Sequence, residues 1–130
     1  MKPDILVDTS AWIDYFNKPN SKIGKAVEKI IKQEKAFIAG IILTELLQGA
    51  RAQEEYDVLL DSMLALPVLE TELDTWIETG KLAFTLRRQG ITIPTTDLII
   101  ATLALRDNCA ILTLDHHFQK IPGIKLFQNF

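Results

Sequence analysis

Cysteine is all but absent from this 130-residue chain. Cys109 stands alone, which excludes an internal disulfide and a cysteine-built zinc cluster. A reducing, cytoplasmic setting suits such a sequence. No apolar run approaches the ~20 residues that a membrane-spanning helix needs, so no membrane association is expected. Met1-Lys2-Pro3-Asp4 leads directly into a strand-like segment without a small-residue cleavage site, as in a chain with no signal peptide. An excess of basic charge is missing too: 14 Lys and Arg face 17 Asp and Glu, for a net charge of −3. That balance argues against a broadly basic surface for gripping nucleic acid. It is uneven, because residues 1–35 carry seven lysines against five acids and the remainder is acidic. Repeats, low-complexity tracts and linker-like stretches are also lacking. A single domain spanning residues 1–130 is expected, long enough to bury roughly 65–70% of its unfolded surface.

What is present is an alternation of short apolar strands and amphipathic helices. Strands are expected at 5–7, 36–39, 67–69, 110–114 and 124–127. Helices are expected at 11–16, capped by Thr9 and Ser10, and after Ser21, where Ile23, Val27, Ile30 and Ile31 form an apolar stripe. Lys22, Lys25, Lys29 and Lys32 occupy the rest of that helix, a solvated face in preference to a phosphate-binding one. Further helices are expected at 41–51, at 53–64 on the apolar positions Tyr56, Leu59, Leu60 and Met63, and at 72–89, ended by Gly90 as a favourable C′ residue. Thr95 and Thr96 read as the cap of a helix to Asn108 that is apolar nearly all round and therefore deeply buried. Residues 116–120 read as a helical turn. The order implies an α/β fold, a three-layer α/β/α arrangement around a mainly parallel sheet of about five strands.

Four carboxylates lie inside or at the edge of apolar runs: Asp8 after Ile5-Leu6-Val7, Glu45 within Ile41-Ile42-Leu43-Thr44-Glu45-Leu46-Leu47, Asp97 within Thr96-Asp97-Leu98-Ile99-Ile100-Ala101, and Asp115 after Ala110-Ile111-Leu112-Thr113-Leu114. A buried carboxylate costs several kcal/mol unless a cation or hydrogen bonds compensate it, and none of these runs holds a Lys or Arg. Each acid has an ordinary alternative, such as a loop residue or a first-turn acid at a helix dipole. Asp8 and Asp115 follow strands, however, and sites in open α/β sheets form beyond the carboxyl ends of strands. If the four converge, the simplest compensation is a divalent metal, and oxygen ligands suit Mg²⁺ or Mn²⁺. Ser10 and Thr113 are hydroxyls placed to orient those acids, and Arg51 and Arg87/Arg88 are candidates for phosphate contact or ordinary solvated arginines. Trp12, Tyr15 and Phe16 read as core or interface. Trp76 and Phe84 read most simply as core.

Four segments also resemble a family. Asp8-Thr9-Ser10-Ala11-Trp12-Ile13, Thr44-Glu45-Leu46-Leu47-Gln48-Gly49, Thr96-Asp97-Leu98-Ile99-Ile100-Ala101 and Thr113-Leu114-Asp115-His116-His117-Phe118 are similar, in order and spacing, to the four motifs of PIN domains, and the length resembles the VapC-type toxins of toxin–antitoxin pairs. The resemblance implies a metal-dependent endoribonuclease in which Asp8, Glu45, Asp97 and Asp115 bind Mg²⁺ or Mn²⁺, activating a water for in-line attack and leaving a 5′-phosphate and a 3′-hydroxyl. It further implies RNA as substrate, a homodimer, a cognate antitoxin lying beside the acids, and DNA bound only through that antitoxin. A processing nuclease, a nuclease acting on DNA and a non-catalytic binding module are the alternatives, the last disfavoured because all four acids are intact. One departure stands out. Where members often carry another acid, two residues past the fourth Asp, this chain has His117, read as an exposed turn histidine in preference to a ligand. One bound ion is accordingly expected in preference to two. A phosphatase with an early Asp-x-Asp and a phosphoacceptor receiver with an early acidic pair are both excluded, because Asp8-Thr9-Ser10 supplies one acid.

Overall fold

A computed structural model describes residues 4–128. Five short strands form a parallel sheet in the order β3-β2-β1-β4-β5: β1 (Ile5–Val7), β2 (Ala36–Ala39), β3 (Val68–Leu69), β4 (Ala110–Leu112) and β5 (Lys125–Leu126). β1 is central, with Leu6 beside Phe37 on one side and Ile111 on the other. Its three residues and those of β4 are buried, as strands covered on both faces must be. The helices are α1 (Thr9–Asn17), α2 (Lys22–Lys32), α3 (Gly40–Gln48), α4 (Gln53–Leu64), α5 (Leu73–Arg88) and α6 (Thr95–Asp107), with a 3₁₀ turn at His116–Lys120. This is the expected three-layer α/β/α fold.

The topology creates the site's location. From β1 the chain moves outward through β2 to β3, then crosses back to β4 and on to β5. β1 and β4 are therefore adjacent strands whose following segments leave in opposite directions, the switch point at which α/β sheets open a crevice.

Local chemistry explains the helices that frame it. Ser21 caps α2 by accepting from the Gly24 amide, at 2.9 Å, while Ile23, Val27 and Ile30 face the core and Ile31 is only partly covered. A Cβ on Gly24 would lie 2.6 Å from the Lys18 carbonyl oxygen, so the turn into α2 requires glycine there. α5 ends as its sequence implies: Gly90 takes φ +80°, and the Gly90 and Ile91 amides donate back to Arg87 and Leu86. α6 is buried from Asp97 to Ala104, as its all-round apolarity implies.

Several expectations fail instructively. Trp76 and Phe84 are not core; they are 48% and 63% exposed. The buried positions of α5 are Thr75, Thr79 and Leu86, and the Thr79 hydroxyl reaches Thr102 of α6 at 2.9 Å. A hydrogen-bonded threonine seam thus takes the inner face, and Trp76 and Phe84 turn outward, the latter beneath Arg88 with 5.5 Å from guanidinium to ring centroid. Tyr56 is also exposed, leaving Leu59 and Met63 as the buried positions of α4. Pro94, not Thr95 or Thr96, holds the N-cap of α6. The helix expected to reach Arg51 stops at Gln48, and the strand expected to reach Leu114 stops at Leu112. Trp12 is wholly buried and stacks near Tyr15 and Phe16, both partly buried, so this cluster is packing.

Candidate active site

Asp8 leaves the end of β1 with its amide still bonded to the Leu112 carbonyl of β4, at 2.9 Å. It is the N-cap of α1, since the Ala11 and Trp12 amides donate to its carbonyl. Aspartate is a favoured N-cap because its side chain can accept from the first free amides. Here the carboxylate makes no such bond. Oδ2 instead accepts from Thr113 Oγ1 at 2.7 Å and from Ser10 Oγ at 2.9 Å. Each hydroxyl has one hydrogen, and each directs it at Asp8. Their lone pairs take the backbone: Leu114 N donates to Ser10 and Asp115 N to Thr113. The strand therefore breaks at Thr113 so that β4's exit can fasten to α1 through Asp8. Ser10 sits inside α1, not at its cap.

Asp97 is the third residue of α6 and only 9% exposed; Asp8 is 4% exposed. A helix N-terminus favours an anion by about 0.3–1 kcal/mol. Burial outweighs that, pushing the Asp97 carboxyl up to about 6 from an ordinary 3.8, with the nearby charges of Asp115 and Asp8 adding to the rise and the His117 hydrogen bond opposing it. Asp115 caps the 3₁₀ turn, its Oδ1 accepting from the His117 amide at 2.9 Å. That turn is pinned by Phe118, which is fully buried, and it aims His117 inward. His117 Nδ1 lies 2.7 Å from Asp97 Oδ2 and 3.0 Å from Asp115 Oδ1. The expectation of an uninvolved turn histidine is thus corrected: the ring is half-exposed but tied between two acids, and those carboxylates raise its pKa.

Glu45 stands apart. Half-buried on α3, it accepts from Thr9 Oγ1 at 2.7 Å and is not among the charges acting on Asp97. It lines a cleft of 230 Å³ between α1, α3 and α4, together with Ile13, Phe16, Leu46 and Arg51. Arg51, largely solvent-exposed, pairs with Glu55 at 3.7 Å. Of the residues singled out in the sequence, then, Asp8, Asp97, Asp115, Ser10, Thr113 and His117 form one connected group. Glu45 and Arg51 lie on the adjoining cleft, joined to the group through the consecutive residues Asp8 and Thr9. Thr9 escaped notice except as a cap; its signal was a second hydroxyl directly beside the first acid.

With that geometry fixed, similarity to known proteins places the chain. The PIN domain family model matches residues 5–124. This chain belongs to the PIN domain family. Among curated PIN relatives, ribonuclease VapC11 of Mycobacterium tuberculosis is 33% identical over 129 residues, covering 95% of this chain and 96% of its own length. Ribonuclease VapC2 of Rickettsia felis is 26% identical over 126 residues, covering 93% and 94%. The same PIN fold is found in the VapBC2 complex of R. felis bound to a DNA fragment from its promoter, with a TM-score of 0.81 at 25% identity, covering 95% of this chain and 96% of that one.

In this PIN domain the donor set fits a divalent cation. A carboxylate oxygen from Asp97, one from Asp115 and Nδ1 of His117 all lie within 4.8 Å of one another. Among the described residues neither acid is ion-paired with Lys or Arg; His117 is the partner of both. Burial leads the rise in the Asp97 pKa, the charges of Asp115 and Asp8 add to it, and His117 only partly offsets it, so a cation beside these acids would relieve the remaining penalty.

Proposed function

We propose that this chain is a divalent-metal-dependent endoribonuclease, the toxin of a toxin–antitoxin pair. The observation that carries the reading is the convergence of Asp8, Asp97 and Asp115 at the switch point of the sheet, with His117 between two of them and, among the described residues, no Lys or Arg paired to any of the three. The names of the VapC relatives support ribonuclease activity.

Asp97 and Asp115 would hold Mg²⁺ or Mn²⁺, with Asp8 beside them and Glu45 completing the acidic set from the cleft. Such an ion, when bound, supplies Lewis acidity to a phosphodiester and to the water that attacks it. The chain's own contribution is positioning. Ser10 and Thr113 hold Asp8 Oδ2, which leaves Oδ1 directed by the same two bonds. Thr9 fixes one oxygen of Glu45, a residue lining the cleft, and leaves the other free to serve as an acceptor or general base for water. Arg51, at the cleft's rim, offers a guanidinium to RNA phosphate once released from its weak, exposed pairing with Glu55.

The solved VapBC complexes, one of them on promoter DNA, support a partnership of this chain with a small antitoxin that itself carries DNA contact. A homodimer, a single domain over 1–130 and a cytoplasmic location complete the proposal; no helix among the described residues is long and apolar enough to cross a membrane. The test is cleavage of single-stranded RNA and of a matching DNA by the purified chain with Mg²⁺ or Mn²⁺. RNA cleavage leaving 5′-phosphates, lost in Asp97→Asn and in chelator, is expected. Undiminished cleavage in excess chelator refutes metal dependence, and cleavage of DNA alone refutes the ribonuclease assignment.

A further inference from the structure

His117 brings a nitrogen donor to an otherwise oxygen-lined cluster, and its Nδ1, hydrogen-bonded between two carboxylates, sits where a cation shared by all three residues would draw it. In an octahedral site with bonds of about 2.1 Å, neighbouring donor atoms stand about 3 Å apart, the edge of the octahedron. His117 Nδ1 is 2.7 Å from Asp97 Oδ2 and 3.0 Å from Asp115 Oδ1. One donor atom from each of the three residues lies within 4.8 Å of the others, a spread that side-chain adjustment alone can close around one ion. The ring is also held in place. Asp115 Oδ1 accepts from the His117 amide, and the next residue, Phe118, is fully buried, so the 3₁₀ turn cannot swing the imidazole away without unseating the core.

We infer that His117 ligates the cation through Nδ1, together with Asp97 and Asp115, and that this nitrogen makes the site prefer Mn²⁺ to Mg²⁺. The inference rests on the metal-dependent reading above. Mg²⁺ takes oxygen donors and parts reluctantly with water, whereas an imidazole suits transition metals, whose affinity for mixed nitrogen and oxygen sites rises along the series that starts at Mn²⁺. An acid at position 117 would make the site all-oxygen; the histidine removes one negative charge and one hard donor. The lost charge weakens both ions, and the exchange of a hard oxygen for nitrogen weakens Mg²⁺ more than Mn²⁺. Ligation requires the tautomer with hydrogen on Nε2, leaving the Nδ1 lone pair for the ion.

Two measurements on the full chain test this without recourse to activity. Pulsed electron paramagnetic resonance of bound Mn²⁺ detects directly coordinated ¹⁴N. Wild type is expected to show imidazole coupling, and His117→Asp to lack it. Calorimetric titration with Mn²⁺ and with Mg²⁺ gives the ratio of affinities, expected to fall by about tenfold or more from wild type to His117→Asp. Mn²⁺ bound without nitrogen coupling in wild type, or an unchanged ratio in the variant, overturns the inference while leaving metal dependence standing. Failure of wild type to bind either ion, accompanied by cleavage in chelator, overturns metal dependence itself and this inference with it.

Discussion

Replacing Asp97 with asparagine removes the charge that the fold holds least comfortably, and the metal-free protein should become more stable for it. The folded carboxyl titrates at about 6 and the unfolded one at 3.8. Below pH 3.8 both are neutral and nothing is lost. Between 3.8 and about 6 the unfolded chain ionises while the folded one keeps its proton, so stability falls as pH rises, and above 6 the full penalty applies. A shift of about two units corresponds to roughly 3 kcal/mol. Asparagine keeps an acceptor for His117 but forfeits the attraction to its charged form, so a net gain of about 2 kcal/mol is reasonable, or roughly 5–10 °C in Tm for a domain of this size. His117 has the opposite linkage: its raised pKa adds stability that is present at low pH and lost as pH rises through the raised value. The gain should therefore be read in thermal scans with chelator at about pH 8, and should shrink to a few tenths of a kcal/mol or less near pH 4. Added Mn²⁺ should then raise the Tm of wild type more than that of the variant, closing the gap. A variant no more stable than wild type at pH 8 in chelator would refute the claim that the buried Asp97 charge destabilises the metal-free fold.

Thr113→Val removes the 2.7 Å donor to Asp8 and the acceptor of the Asp115 amide; a loss of about 1.5–3 kcal/mol in urea unfolding and at least about tenfold in RNA cleavage is expected. Thr9→Val should leave the stability within about 1 kcal/mol of wild type while lowering the cleavage rate, because the freed Glu45 carboxylate faces a solvated cleft; an unchanged rate would detach Glu45's orientation from function. Gly24→Ala should destabilise by about 1–3 kcal/mol without altering metal affinity, since the added methyl meets the carbonyls of Lys18 and Pro19 at 2.6 and 2.8 Å. Phe84→Ala, at an exposed position, should shift urea unfolding by less than about 1 kcal/mol.

The sheet was legible because its central strands β1, β2 and β4 are apolar on both faces and bounded by turn residues, a pattern with few alternative readings. The acids were legible for the converse reason: carboxylates with no cation nearby in sequence contradict their apolar runs, and contradictions of that kind mark sites. Helix α5 was misread because size was taken as a guide to burial. Its aromatics lose the inner face to Thr75 and Thr79, small side chains whose hydroxyls bond to α6, Thr79 to Thr102 and Thr75 by accepting from Arg106. The placement of His117 between two acids is hidden in the sequence because a two-residue offset in a turn says nothing of where a ring points. Only the buried Phe118 and the cap at Asp115 settle that. Glu45's separation from the other acids depends on how α3 leaves β2, a geometric fact with no local signature.

The two tryptophans of the chain lie in opposite surroundings, and this makes the molecule its own optical reporter. Trp12 is sealed in the core, four residues along α1 from Asp8, while Trp76 is nearly half open to solvent on α5. In wild type the emission should be a composite, with a blue-shifted component shielded from acrylamide and a red-shifted, quenchable one. Trp76→Phe would leave a single fluorophore whose spectrum follows the helix that springs from the acidic pocket. Its partner variant, keeping Trp76 alone, would watch the far face. Together they allow the surroundings of α1 and of α5 to be followed separately by stopped-flow fluorescence, with no label attached.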